Sequence, residues 1–307
     1  MTFEVNILGS SGALPAHFRH PTAQVINHND NFFLLDCGEG TQMQLDKFGL
    51  KRSKIDHIFI SHLHGDHYFG LMGLITSYIL LARKQPLYIY APQGLKAIIA
   101  AHIDITDPDI GFEINITELI EPETGVCSLV IENEVLEVYY FPLDHRITCF
   151  GYLFNEKLRS PNIIKSKIGE YTLTVAEIIQ LKQGKDIVRG GEVLKNKNFT
   201  YPPPSPLQYA FCTDTLPVTK NYGFLQEVDL LYHEATFLHN DEERAAQTHH
   251  TTAKQAAEVA KQLNAKQLLI GHFSAKYQNL NMLLEEAKET FENTQLAIEG
   301  LSFKVAN

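Results

Sequence analysis

Between Phe59 and Gly70 the chain reads FISHLHGDHYFG, which sets His62, His64, Asp66 and His67 within six positions. An apolar run, Ile58 to Ile60, precedes them and a long apolar run with glycines follows, so the spacing predicts a strand, a loop and a helix. A helix cannot carry the group as one site, because residues i and i+2 point to different sides of it. In an extended loop His62 and His64 face the same way, while Asp66 and His67 turn toward a second centre. Two ligand pairs in one loop suit two adjacent metal ions, typically about 3.5–4 Å apart. Imidazole and carboxylate donors without a thiolate favour zinc, with manganese or another divalent ion as the alternative.

Four donors do not complete two coordination shells. His145 after VYYFPLD, Asp214 after LQYAFCT and His272 after KQLLIG each follow an apolar run that reads as a strand. A sheet that presents ligands from its strand ends holds them rigidly. Two further groups read as chemical. Glu234 lies in LLYHEATF, where a buried carboxylate needs a partner, and His250 lies in THHTTAKQAA at a helix start capped by Thr251 or Thr252. A His beside a Glu is held protonated and can act as a general acid. On sequence alone His249 competes with His250 for this role. His28, His57, His102, His233 and His239 read as structural or surface residues.

Short β-rich runs alternate with helical patterns along the 307 residues, which predicts an α/β or α+β layered fold. The longest apolar stretch, FGLMGLITSYILLA, is too short for a bilayer, which needs about 20 residues. No basic-then-apolar start marks an export signal, so a soluble, cytoplasmic protein is expected. Cys37, Cys127, Cys149 and Cys212 form no CxxC pair and are expected to be reduced thiols. The net charge of −10 excludes wholesale attraction to nucleic acid. Residues 155–198, however, hold nine Lys/Arg against five Asp/Glu, a local +4 on a body near −14. With its weak periodicity and the YPPPSP cluster, segment 155–205 reads as a surface insertion or as an arm for an anionic partner.

The HxHxDH loop resembles the signature of the metallo-β-lactamase superfamily. LDHRITCFGYLF, FCTDT, LLYHEATF, HHTTAKQAAEVA and LLIGHFSAKYQ extend the likeness to the ribonuclease Z family over nearly the whole chain. That resemblance implies an α+β fold, an αββα sandwich in a single domain over 1–307, with a flexible arm inserted at 155–205. It implies a homodimeric endonuclease of the short bacterial form that trims precursor tRNA. The cut leaves a 3′-hydroxyl on the tRNA and a 5′-phosphate on the trailer. His62, His64 and His145 would hold one zinc, Asp66, His67 and His272 a second, and Asp214 would bridge them. Asp66 would also orient the attacking water, and the Glu234–His250 pair would donate the proton to the leaving oxygen. Arg19, Lys276 and, in the arm, Lys165 and Lys167 would contact the RNA.

Three positions depart from the family pattern. PAHFRHPT places His17 and His20 in a loop that often ends in Arg-Asn, YTLTVAEI replaces a Gly-Pro pair in the arm, and SAKY carries Lys276 in place of Arg. Two other readings compete: a superfamily hydrolase of small esters, phosphodiesterase or arylsulfatase-like, and a non-catalytic RNA- or metal-binding protein. The HEAT block, the H-T-T block and the arm favour the nuclease.

Overall fold

The computed structural model describes residues 2–218 and 222–306. Among these, two seven-stranded sheets lie face to face. The first contains β1 (Phe3–Gly9), β2 (Ala23–His28), β3 (Asn31–Leu35), β4 (Ile55–Phe59), β5 (Leu87–Pro92) and β6 (Ile114–Leu119), with a late strand, Ser302–Lys304, added beside β1. The second starts from β7 (Ser128–Glu132), β8 (Leu136–Leu143) and β9 (Cys149–Glu156). The arm then supplies β10 (Asn162–Ile163), β11 (Ile187–Arg189), β12 (Glu192–Leu194) and β13 (Thr200–Tyr201); β11 and β12 form a hairpin, while β10 and β13 pair across the base of the arm. The second sheet resumes with β14 (Gln208–Cys212), β15 (Leu230–Glu234), β16 (Leu268–Gly271) and β17 (Thr294–Leu296), and the late strand is β18.

Alternation along the strands explains the layering. In β8, Leu136, Val138 and Tyr140 enter the core between the sheets, while Phe141 and Leu143 join the core under the C-terminal helices. Strands buried on both faces read as continuous apolar runs, which is why these were visible in the sequence. Helices α1 (Thr41–Lys47), α2 (Gly65–Tyr68), α3 (Leu71–Leu80) and α4 (Leu95–Ala100) belong to the N-terminal half. Leu71, Leu74, Ile75 and Tyr78 put the apolar stripe of α3 on the first sheet. On the other side lie α7 (Glu242–Thr248), α8 (Ala253–Gln262) and α9 (Asn281–Lys288), while α5 (Lys165–Glu170) and α6 (Val175–Lys182) fall in the arm. Helix α8 presents Ala253, Ala256, Ala257 and Ala260, small enough for close packing on the second sheet. The result is an α+β sandwich of four layers. No helix among the described residues is long and apolar enough to cross a membrane.

Strands β2, β6, β7 and β18 are poorly marked in the sequence. Ile114–Leu119 and Ser128–Glu132 alternate half-buried with exposed positions, and Ser302–Lys304 is three residues long. The arm also holds more structure than its periodicity suggested. Its helices are α5 (Lys165–Glu170) and α6 (Val175–Lys182), the latter opened by a Thr174/Glu177 capping box. Leu173, Leu181, Ile187, Leu194 and Phe199 form a small core of their own.

Candidate metal centre

The site is assembled where strands of both sheets end. The chain leaves β4 through Ser61, His62 and His64; His64 is still extended, and α2 then opens with Asp66 and His67 in its first turn. His145 follows β8, Asp214 follows β14, and His272 follows β16. Ligand sites at the carboxyl ends of strands are the general rule in open α/β sheets.

The donors fall into two groups that share one carboxylate. In the first, His62 Nε2 lies 3.0 Å and His145 Nε2 3.3 Å from His64 Nδ1. Asp214 Oδ2 completes this group at 3.5 Å from His62 and 3.8 Å from His145. In the second, Asp66 Oδ2 lies 3.4 Å from His67 Nε2 and 3.5 Å from His272 Nε2. Asp214 Oδ1 faces this second group, 3.3 Å from His67 and 3.0 Å from His272. A tetrahedral ion with bonds of about 2.0–2.1 Å holds its donors about 3.3–3.4 Å apart, close to these separations.

Buried partners orient the rings. His67 Nδ1 donates to Asp36 Oδ2 at 2.7 Å, which leaves Nε2 as a lone pair aimed inward. Ser61 bonds the same carboxylate through both its N–H and its hydroxyl, and its Oγ lies 3.0 Å from His62 Nδ1. One carboxylate thus steadies a histidine in each group. His145 Nδ1 donates to the His249 carbonyl at 3.0 Å, and His272 Nδ1 donates to Thr236 Oγ1 at 2.9 Å. Asp66 Oδ2 accepts the Ala13 N–H at 2.7 Å. Gly12 leaves room beside this contact, since a Cβ there would meet the His272 ring at 2.7 Å.

Backbone strain gathers around the donors. Ala13, Asp36, His249 and His272 all have φ between 55° and 65°, in the left-handed region that non-glycine residues avoid. Each costs of order 1–3 kcal/mol and persists only where its surroundings over-determine it.

Charge supplies a second test of what the site accepts. Asp36 and Asp214 are buried, and Asp66 is largely so. Burial favours the neutral imidazole and lowers His62, His64 and His145, the last to about 4. Burial alone would lower His67 too, but Asp66, Asp214 and Asp36 outweigh it and raise it. His272 is likewise raised, to about 10, by Asp214 and Asp66 against its burial. The carboxylates therefore demand positive charge that the neutral rings do not supply. The Nε2 atoms of His67 and His272 are buried and out of hydrogen-bond alignment with any acceptor among the described residues. Divalent cations fit both features.

Beside the cluster, His250 Nδ1 donates to Glu234 Oε1 at 2.8 Å. Glu234, wholly buried at the end of β15, also accepts the Thr215 and Thr236 N–H groups and the Thr236 hydroxyl. Burial opposes the charged ring, yet Glu234 prevails and raises His250. His249 points elsewhere, its Nδ1 3.2 Å from Asp144 Oδ1, so the structure separates two residues that the sequence left in competition.

The candidate RNA contacts are placed differently. Arg19 donates to the Tyr277 carbonyl at 2.9 Å and to the Ser274 carbonyl at 3.3 Å. Lys276 pairs with Asp241 at 2.7 Å, and Lys167 pairs with Glu170 at 2.9 Å; Lys165, at the start of α5, is exposed. Asp36, Ser61 and Thr236 were missed from the sequence. The DCG turn after β3 was the one available signal, and it identifies no partner.

Fold and cluster together define a metal-dependent hydrolase of the metallo-β-lactamase fold. The metallo-β-lactamase-fold protein YhfI of Bacillus subtilis superposes with a TM-score of 0.68 at 17% identity, covering 99% of this chain and all of that one. Ribonuclease Z of Bacteroides fragilis is 44% identical over 300 residues, 97% of this chain and 98% of the relative. Ribonuclease Z of Cytophaga hutchinsonii is 42% identical over 309 residues, covering all of this chain and 97% of the relative. The chain belongs to the ribonuclease Z family. Human tRNase Z, short form, superposes with a TM-score of 0.73 at 27% identity, covering 99% of this chain and 100% of that one. A family model described as anti-Pycsar protein Apyc1 also matches residues 3–103.

Proposed function

We propose that the chain is a zinc-dependent endoribonuclease that cleaves precursor tRNA on its 3′ side. The observation that carries this reading is the shared carboxylate of Asp214, one oxygen toward each donor group, with the Glu234–His250 pair alongside. His62, His64 and His145 would hold one zinc and Asp66, His67 and His272 the other, with Asp214 available to both. When bound, such a pair supplies Lewis acidity and a water acidified toward neutral pH.

The chain's own groups supply the rest. Asp66, fixed by the Ala13 N–H, orients or deprotonates the attacking water. Attack on phosphorus breaks the bond to the 3′ oxygen, a poor leaving group as an alkoxide. His250, kept protonated by Glu234, gives it a proton as the bond breaks. The tRNA keeps a 3′-hydroxyl and the trailer a 5′-phosphate.

The basic arm at 155–205 offers the phosphate-binding surface that an acidic body lacks, with Lys165 and Lys167 as its proposed contacts. Arg19 and Lys276, engaged with protein partners, would contribute by shaping the rim and by their charge. Folded RNA is recognised mainly through backbone shape, which such a surface suits. Homodimerisation and a cytoplasmic location belong to the same proposal, supported by the family and the substrate.

Incubation of the protein with a labelled precursor tRNA, and mapping of both product ends, tests the reading. Turnover of bis(p-nitrophenyl) phosphate without any RNA cleavage would reject it in favour of a small-ester hydrolase.

A further inference from the structure

Glu156 is the last residue of β9 before the chain departs into the arm, and Leu207 stands where it returns to begin β14. The Glu156 N–H donates to the Leu207 carbonyl at 2.9 Å, and its Oε2 accepts the Leu207 N–H at 3.2 Å. Its Oε1 accepts from His28 Nε2 at 2.9 Å and from the Arg159 guanidinium, which belongs to the departing stem. His28 closes β2 of the opposite sheet and is buried, as is Glu156 itself. One carboxylate therefore ties together both stems of the arm and the far sheet.

Apolar packing reaches these stems at Leu207, which lies against the core between the sheets, but open space flanks Glu156 itself. A cavity of about 430 Å³ opens on one side of Glu156, between Phe3, Arg159, Pro204 and Lys304. A groove of about 480 Å³ is also lined by Glu156, together with Glu137, Lys157 and Gln208. A buried ion pair adds little stability over an apolar replacement, and its best-attested use is to fix one geometry among several.

Glu156 is also too distant to act on the chemistry. Cys149, at the other end of β9, lies 3.7 Å from His62. The seven steps from there to Glu156 span roughly 23 Å at about 3.3 Å per residue. Any influence on cleavage must pass through the arm.

We infer that Glu156, with His28 and Arg159, is a positioning latch that holds the arm in the orientation required to engage a long RNA substrate. This inference rests on the arm's role proposed above. The test is to measure E156Q and R159M as full-length proteins on precursor tRNA and on bis(p-nitrophenyl) phosphate. Amide exchange over 160–205 and metal content are recorded alongside. The expected result is a KM for precursor tRNA raised about tenfold with kcat within twofold, small-ester turnover and metal content unchanged, and faster exchange in the arm. R159M, a change at a partly exposed position, reports on the same latch if E156Q folds poorly. Equal losses on both substrates would reduce Glu156 to a structural residue and overturn the inference, as would wild-type KM in both variants. A separate variant with 160–203 replaced by a short Gly-Ser linker tests the underlying reading. If it cleaves precursor tRNA as the intact chain does, the arm's role fails, whatever the latch variants do.

Discussion

The metal-binding rim and the arm are both polar surfaces joined to one sandwich, yet they are built from different materials. The rim draws its donors from positions 62 to 272, at the ends of strands in both sheets. Four of its rings, those of His62, His67, His145 and His272, are each oriented by a second group, and four neighbouring residues hold strained left-handed backbone. The arm closes its core within residues 173 to 199, through a short hairpin and a capped helix. Its ion pairs, such as Arg189–Glu177 and Lys195–Asp186, lie at the surface. The rim inherits rigidity from the whole fold, whereas the arm's order is local. Damage to the rim should therefore abolish all chemistry, and damage to the arm should affect only long substrates.

The comparison breaks most visibly at Asp214. Asp214→Ala removes the carboxylate common to both donor groups, and should cost both metals and all turnover, whatever the substrate. Elemental analysis with a small-ester assay checks this; a variant that keeps two metals per chain would refute the shared-carboxylate reading. Next in size is His250→Ala, expected to slow RNA cleavage by about 10²–10⁴-fold with metal content intact. The corresponding change at His249 should be far milder, since its ring faces Asp144. Asp36→Asn should weaken metal binding about 10–100-fold, the usual cost of losing a group that orients a ligand. Competition with a chelator measures it, and both donor groups should be affected through Ser61. Smallest for the chemistry is Leu181→Ala in the arm core, where a cavity costs about 2–5 kcal/mol. It should loosen the arm and raise KM for RNA, while the main unfolding transition and small-ester turnover stay put. A fall in small-ester turnover would show that the arm and the rim are not independent.

Legibility in the sequence divided along the same line, but in reverse. The rim's donors stood out because imidazoles and carboxylates rarely follow apolar runs without a purpose, and His62 to His67 are close in the chain. Most strands buried on both faces were equally plain, β2 excepted. The arm's core was not, because Leu173, Leu181 and Ile187 sit among charged residues with no sustained period. Asp36 and Thr236 were hidden for another reason, since a single Asp or Thr after a strand carries no local mark of the ring it will orient.

From the order of its residues alone, this chain committed itself to strands, to helices and to a loop dense in metal donors, because apolar period and donor spacing are local properties. Which oxygen of Asp214 meets which histidines, why His250 rather than His249 reaches Glu234, and how Glu156 comes to join both stems of the arm were decided only in three dimensions. Those relations depend on hydrogen bonds a few ångströms long between residues far apart in the chain, and packing of the two sheets is what brings them within reach.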